Sequence, residues 1–274
     1  MFNKSDLYDL PMIDKIIHTA DIHLRLFKRH DEYAEQFEKF YKECELHKPD
    51  RIVIVGDLVH SKNQMTPELI YMVTTFLNNC SKIAKTVITL GNHDFLANNL
   101  DRMDALTPII STMDNPNILF LKHTGCYVDE NVVWCVYGHM EGSERPNIEE
   151  AREFYGDEKT YIGLYHDPLV GLKTAIGFEF EDGKDISIFE GCQIVMCGDI
   201  HLYQVMNHRK TPIVQPGSMI QQDYGETVKG HGYVLWDVKT RTHKQIDLPS
   251  EYGFYTFKIK SIEDIETESE KFVL

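Results

Sequence analysis

The segment GNHDF, residues 91–95, puts an amide, an imidazole and a carboxylate in a row directly after the apolar run TVITL. Asn92, His93 and Asp94 are poor core residues, and packing gives no reason to group them. Similar groups follow other apolar runs. KIIHTA leads into Asp21-Ile22-His23, RIVIV into Gly56-Asp57, TYIGLY into His166-Asp167 and QIVMC into Gly198-Asp199-Ile200-His201. A single Asp-x-His or Gly-Asp after a strand is commonplace, because aspartate caps loops and histidine is at home on surfaces. Gly-Asn-His-Asp is more specific, and five polar strand ends in one chain are not explained by capping.

Taken together the residues form a mixed donor set. Asp21, Asp57 and Asp199 offer carboxylate oxygens, His23, His166 and His201 offer ring nitrogens, and Asn92 offers a neutral oxygen. Without sulfur, the set suits Mn²⁺, Mg²⁺, Fe or Zn²⁺ rather than a thiolate-bound structural zinc. Seven ligands are too many for one small cation and enough for two. A carboxylate such as Asp57 would bridge a pair about 3.5–4 Å apart, the spacing of two-metal phosphoester chemistry. His93 is then left over beside Asn92, where it would face substrate as a general acid or stabilise developing charge.

Such ligands converge only if the strands are neighbours. KIIHTA (15–20), RIVIV (51–55) and TVITL (86–90) read as buried strands. Between them, 31–47 carries apolar or aromatic residues at 33, 37, 40, 41 and 44, which is helical spacing. The segment 66–80 opens with Thr66 as N-cap, Pro67 at the first helical position and Glu68 in the first turn. This β-α-β-α-β order predicts parallel strands, and ligands of open α/β sheets bind beyond the carboxyl ends of such strands. The second half is richer in strands: 117–121, 132–137, 160–166, 193–197, 232–238 and 255–259, with an Asp-Gly turn signal in 178–191. The totals predict two sheets packed face to face with helices outside. Residues 1–260 read as one domain, and 261–274 as an acidic tail or short solvated helix.

The bulk composition agrees. With 274 residues, 42% hydrophobic and 26% charged, the chain can bury a sizeable core. No stretch approaches the roughly 20 apolar residues of a membrane span, and the first residues contain no secretory signal, so a cytoplasmic, membrane-free protein is expected. The six cysteines are scattered without a CxxC pair and read as reduced thiols. A formal net charge of −15 argues against gripping nucleic acid through a broad basic face, but not against local phosphate contacts.

In order, Asp21-x-His23, Gly56-Asp57, Gly91-Asn92-His93-Asp94, His166 and Gly198-Asp-Ile-His201 make the chain resemble the calcineurin-like metallophosphoesterase superfamily over roughly residues 14–240. Within it the chain is most similar to SbcD-type nuclease subunits of recombination and repair complexes, through GDLVH (56–60), IFEGCQIVMCGDIH (188–201) and VQPGSMIQQDYGE (214–226). The resemblance implies a four-layer α/β/β/α sandwich of two mixed sheets, two metal ions with Mn²⁺ foremost, and hydrolysis of DNA phosphodiesters. By position, Asp21, His23, Asp57 and His201 would hold one metal, and Asp57, Asn92, His166 and Asp199 the other. His93 would be catalytic, and His60 would help position the DNA strand. Where the superfamily's serine/threonine phosphatases have an aspartate three residues after the bridging one, this chain has His60. Asp199 departs from the pattern, standing where the family usually has histidine.

The family further implies a homodimer and a coiled-coil ATPase partner of SbcC type. The chain reaches 274 residues, whereas SbcD-like proteins usually continue into a DNA-capping and partner-docking region, so the resemblance points to a minimal phage or viral member (in a host cytoplasm) or to a piece of a longer protein. Two other readings of the same residues stay open: a phosphoesterase acting on small phosphodiesters or cyclic nucleotides, and a non-catalytic scaffold with the fold. Val59, Met65 and Tyr203, and the Tyr-rich stretch 224–255, read more readily as packing than as substrate contacts.

Overall fold

In the computed structural model, residues 12–142, 144–255 and 259–264 are described. Continuous β-branched runs form strands buried on both faces. β1 (Lys15–Thr19), β2 (Arg51–Val55) and β3 (Lys85–Thr89) pair in parallel. β4 (Ile118–Phe120) joins β3 in parallel. On the other side of β1, β11 (Gly232–Asp237) and β12 (Thr242–Asp247) are antiparallel, giving the order β12-β11-β1-β2-β3-β4. The second sheet runs β5-β6-β7-β8-β10-β9, from β5 (Gly125–Asp129), β6 (Val132–Tyr137), β7 (Thr160–His166), β8 (Ile194–Gly198), β9 (Gln204–His208) and β10 (Thr211–Gln215). Its β6, β7, β8 and β10 are parallel, and β5 and β9 are antiparallel edges.

The layers follow from two-residue periodicity. In β2, Val53 and Val55 face the other sheet, while Ile52 and Ile54 face helices α1 (His30–His47) and α2 (Pro67–Ile83). In β8, Ile194 and Met196 face inward, while Val195 and Cys197 pack outward toward α4 (Ile148–Tyr155) and a 3-10 turn at Ile186–Phe189. Trp134 and Trp236 fill the space between sheets. Helices on both outer faces complete the four-layer α/β/β/α sandwich of the metallophosphoesterase fold.

Local signals hold where the sequence is emphatic. α1 buries Tyr33, Phe37, Phe40, Tyr41 and Cys44, the positions its spacing assigns. The Thr66 side chain accepts the Leu69 N–H at 3.4 Å, capping α2. Six elements had no sequence expectation: β5, β9, β10, β12, α3 (Thr107–Met113) and α4. β5, β9 and β12 are edge strands, half solvated, so their polar residues leave no apolar run to read. β10 carries Pro212 inside the strand, a residue that normally argues against one. The expected strand at 255–259 falls mainly on residues 256–258, outside the described residues, as does most of the acidic tail. All six cysteines are free, and no helix among the described residues is long and apolar enough to cross a membrane.

Candidate metal centre

The carboxyl ends of β1, β2 and β3 from one sheet and of β7 and β8 from the other meet at one end of the sandwich. His166 is the last residue of β7, and the other candidates lie just beyond their strands. Four of them, Asp21, His23, Asp57 and Asp199, hold positive φ values of 53°, 50°, 54° and 87°. A non-glycine residue in that region costs on the order of 1 kcal/mol or more, and such strain persists where surrounding structure imposes it. Two glycines make the approach possible. A Cβ at Gly91 would collide with Asp57 Oδ1 and His166 Nε2, and one at Gly198 with Val55 O and His166 Nδ1.

Asp57 Oδ2 lies 3.5 Å from His23 Nε2 and 3.4 Å from His166 Nε2, a position between two ring nitrogens that suits a bridging oxygen. Asp21 Oδ1 stands 3.9 Å from each of the same nitrogens. His23 Nε2 faces His201 Nε2 at 3.0 Å. Asp21 groups with His23 and His201, and again with Asp57 and His166, each set within the reach of one cation. The orphaned atoms fit that reading: His166 Nε2 and Asn92 Oδ1 are buried with no hydrogen-bond partner among the described residues. His166 is turned by Nδ1, which donates to Val55 O at 2.7 Å. Asp199 accepts the Asn92 amide through Oδ1 at 3.0 Å, and its own N–H is held by the Asp21 carboxylate at 3.0 and 3.1 Å.

The electrostatics are those of a dense, dry cluster. Burial pushes the Asp21 carboxyl up to about 7, against the pull of His166 and His201. Burial works against ionisation of Asp57 too, but the His166 and His23 rings and the His93 N–H hold it well below the usual carboxylate range. For His166 burial alone would lower the pKa, and Asp57, Asp21 and Asp199 override it, raising it well above the ordinary value. Burial drives His23 well below its ordinary value, and burial with the Arg25 guanidinium brings His60 down to about 4.

His93 and His60 sit beside this cluster. The His93 ring is 4.7 Å from His23 and stacks on His60 at 5.2 Å. His93 Nδ1 donates to His60 O at 2.7 Å, which leaves Nε2 free to hold or give a proton. His23, His60 and His93 also lie close enough to share an ion. Arg25 Nη1, 3.2 Å from His60 Nε2, makes a dication there electrostatically costly, so the carboxylate-bearing groups are the better cation sites.

A family comparison decides the class: the Calcineurin-like phosphoesterase description matches residues 14–203. The chain belongs to the calcineurin-like phosphoesterases. An uncharacterized protein of Acanthamoeba polyphaga mimivirus is 37% identical over 268 residues, covering 94% of this chain and 20% of that one, so the chain spans about a fifth of that relative. A solved archaeal phosphodiesterase is similar at 12% identity and a TM-score of 0.46, covering 85% of this chain and 99% of that one.

This calcineurin-like phosphoesterase also carries site-supporting residues that the motif reading passed over. Asp94, fully buried, accepts the N–H groups of Asp57 and Gly91 at 2.9 Å and of Val59 at 3.1 Å, bracing the turn that carries Asp57. Its place in Gly-Asn-His-Asp was the available signal. Glu226 accepts the His201 Nδ1–H at 2.7 Å. Arg25 reaches both His60 and Gln222. His139, with Nε2 buried and unpartnered, lies 3.5 Å from Asp167 through Nδ1. Glu226 closes the VQPGSMIQQDYGE stretch that carries the resemblance but had no role assigned to it, and nothing local in the sequence marks Arg25 or His139 for the site.

Proposed function

We propose that this protein is a two-metal phosphodiesterase that cleaves DNA, with Asp21, His23, Asp57 and His201 holding one divalent cation and Asp57, Asn92, His166 and Asp199 the other. The observation that carries the reading is Asp57 Oδ2 lying between His23 Nε2, which faces His201 Nε2, and His166 Nε2, which is buried without a hydrogen-bond partner among the described residues. The donor set is oxygen and nitrogen without sulfur, which favours Mn²⁺ or Mg²⁺ over softer ions, and Asp199 adds to that preference. When bound, the cations supply Lewis acidity at the phosphoryl group and a nucleophile at neutral pH.

The chain's own residues do the rest. Asp94 and the glycine turns hold Asp57 in place. His93, oriented by its Nδ1–H bond to His60 O, offers Nε2 to protonate the leaving oxygen or to stabilise charge on the phosphoryl oxygens. His60 positions the strand. The resemblance to SbcD-type subunits supports a role in recombination or repair, as a homodimer with a coiled-coil ATPase. A chain of net charge −15 would need a basic partner or a dimer to hold DNA broadly.

The test is Mn²⁺-dependent degradation of end-labelled linear duplex DNA beside bis-p-nitrophenyl phosphate and a cyclic nucleotide, for wild type, His93→Ala and Asp199→His. DNA cleavage lost in His93→Ala is the expected result. Hydrolysis of the small diesters alone would replace the nuclease with a small-molecule phosphodiesterase. Two bound metals without turnover on any substrate would favour a scaffold.

A further inference from the structure

Several partly covered cations in this protein meet a carboxylate. Arg51 makes a two-pronged contact with Asp129, Arg29 does the same with Glu32 beneath the Phe254 ring, and Lys122 reaches Asp104. Lys39 and Lys159 instead meet backbone carbonyls, and two half-buried cations beside the His23–His60–His93 cluster also lack a carboxylate among the described residues. Arg25 has no carboxylate partner among the described residues. Its Nη1 meets His60 Nε2 at 3.2 Å, its Nη2 donates to Gln222 Oε1 at 3.2 Å and to Gln222 O at 3.4 Å, and its Nε is buried without an acceptor among the described residues. Lys62 also lacks one. Among the described residues its Nζ donates to Asn92 O at 3.3 Å, and its backbone N–H donates to His93 O at 3.2 Å.

The far side of His23 has the opposite character. A cavity of about 400 Å³ beside His201 is edged by Asp199, Asp223 and Glu226 and walled by Ile176, Phe180 and Leu202. That side repels phosphate, whereas the Arg25 and Lys62 side attracts it. A guanidinium only donates, so His60 Nε2 must be the lone-pair nitrogen, and Arg25 keeps its second Nη1 N–H to spare. A free donor on a rigid fork next to a phosphoryl site matches phosphate geometry, and an ammonium adds a point charge.

We propose that Arg25 and Lys62 bind a second phosphate of the substrate, adjacent to the one hydrolysed, so that the site selects a chain of phosphodiesters over an isolated one. The proposal rests on the phosphodiesterase reading above and names its substrate class: a polynucleotide whose backbone leaves the centre over the His60 and His93 side. The chief rival is that Arg25 is only a strap holding the 220–226 segment through Gln222.

The experiment compares Arg25→Ala, Arg25→Lys and Lys62→Ala with wild type. Kinetics with Mn²⁺ are read on a labelled 12-nucleotide oligothymidylate and on bis-p-nitrophenyl phosphate, which has a single phosphate. Binding of the same oligomer to metal-free protein in EDTA is read by fluorescence anisotropy across a salt series. The proposal expects the oligomer-to-small-diester ratio of kcat/KM to fall at least tenfold in each alanine variant, mainly through KM, with partial recovery in Arg25→Lys. It also expects the slope of log affinity against log salt to shrink by about 0.7 per cation removed. A parallel fall on both substrates with an unchanged salt slope overturns the phosphate edge and leaves the nuclease standing. Wild-type protein that hydrolyses the small diester but neither binds nor cleaves the oligomer or the end-labelled duplex overturns both.

Discussion

His201 Nδ1 and Glu226 Oε1 are 2.7 Å apart across 25 residues of chain, and the Glu226 side chain is 6% exposed. Glu226 Oε2 in turn accepts the Gln222 N–H at 2.7 Å, so the carboxylate is itself fixed. The bond commits His201 to Nδ1–H and points the Nε2 lone pair into the cluster. A carboxylate behind a ligating histidine raises its basicity and sets its tautomer, and losing one typically costs 10–100-fold in metal affinity.

Glu226→Ala is therefore expected to weaken Mn²⁺ binding by about 10–100-fold in calorimetry, by the same argument. Glu226→Gln should lose less, because its carbonyl can still accept from Nδ1. Unchanged affinity in Glu226→Ala would remove His201 from the ligand set.

Metal binding should be linked to protons through Asp21. Burial raises its carboxyl to about 7, so below that pH a proton occupies an oxygen the cation needs. His166 and His201 are raised as well, His166 by Asp57 foremost and His201 by its bond to Glu226, each overcoming burial. Affinity is thus expected to climb with pH through the neutral range, about tenfold per unit for each proton displaced, and to level off above it. Calorimetry at pH 6.5 and 8 in buffers of different ionisation enthalpy counts those protons. Zero release at the lower pH would contradict the buried, protonated Asp21.

Asp94 accepts three backbone N–H groups, and Asp94→Asn would turn one acceptor into a donor facing one of them. An unsatisfied buried donor costs about 1–3 kcal/mol, which is the stability loss expected in urea unfolding of the metal-free protein. Because the Asp57 turn goes with it, metal affinity should fall too. A change under about 0.5 kcal/mol would mean that the turn stands without this brace.

His18 gives a stability prediction away from the metal ligands. Its Nε2 bonds Cys197 O at 2.9 Å across the two sheets, and burial lowers its pKa to about 3. The unfolded chain binds this proton near pH 6.5, earlier than the folded protein does. The contribution is complete above that pH and is lost as pH falls toward 3, by about 1.4 kcal/mol per unit. His18→Gln should flatten the fall in unfolding free energy between pH 6.5 and 4.5 relative to wild type. Equal slopes would show that His18 is protonated when folded.

The sequence alone determined where the site's residues would fall and which strands would carry them. Asp21, Asp57, Asn92 and His201 each follow a run whose inward and outward residues are both apolar, and such runs can only be doubly covered strands. Their polar ends were therefore visible as departures from an otherwise apolar pattern. Edge strands such as β9 and β12 were not, because a strand solvated on one side needs no apolar run. Only the tertiary structure decided the partners. Glu226 meets His201 because the segment after β10 folds back beside β8, Arg25 has no carboxylate partner among the described residues, and Asp57 Oδ2 falls between histidines from two different sheets. Hydrogen bonds and ion pairs depend on distances of a few ångströms between residues remote in the chain, and no local spacing encodes them.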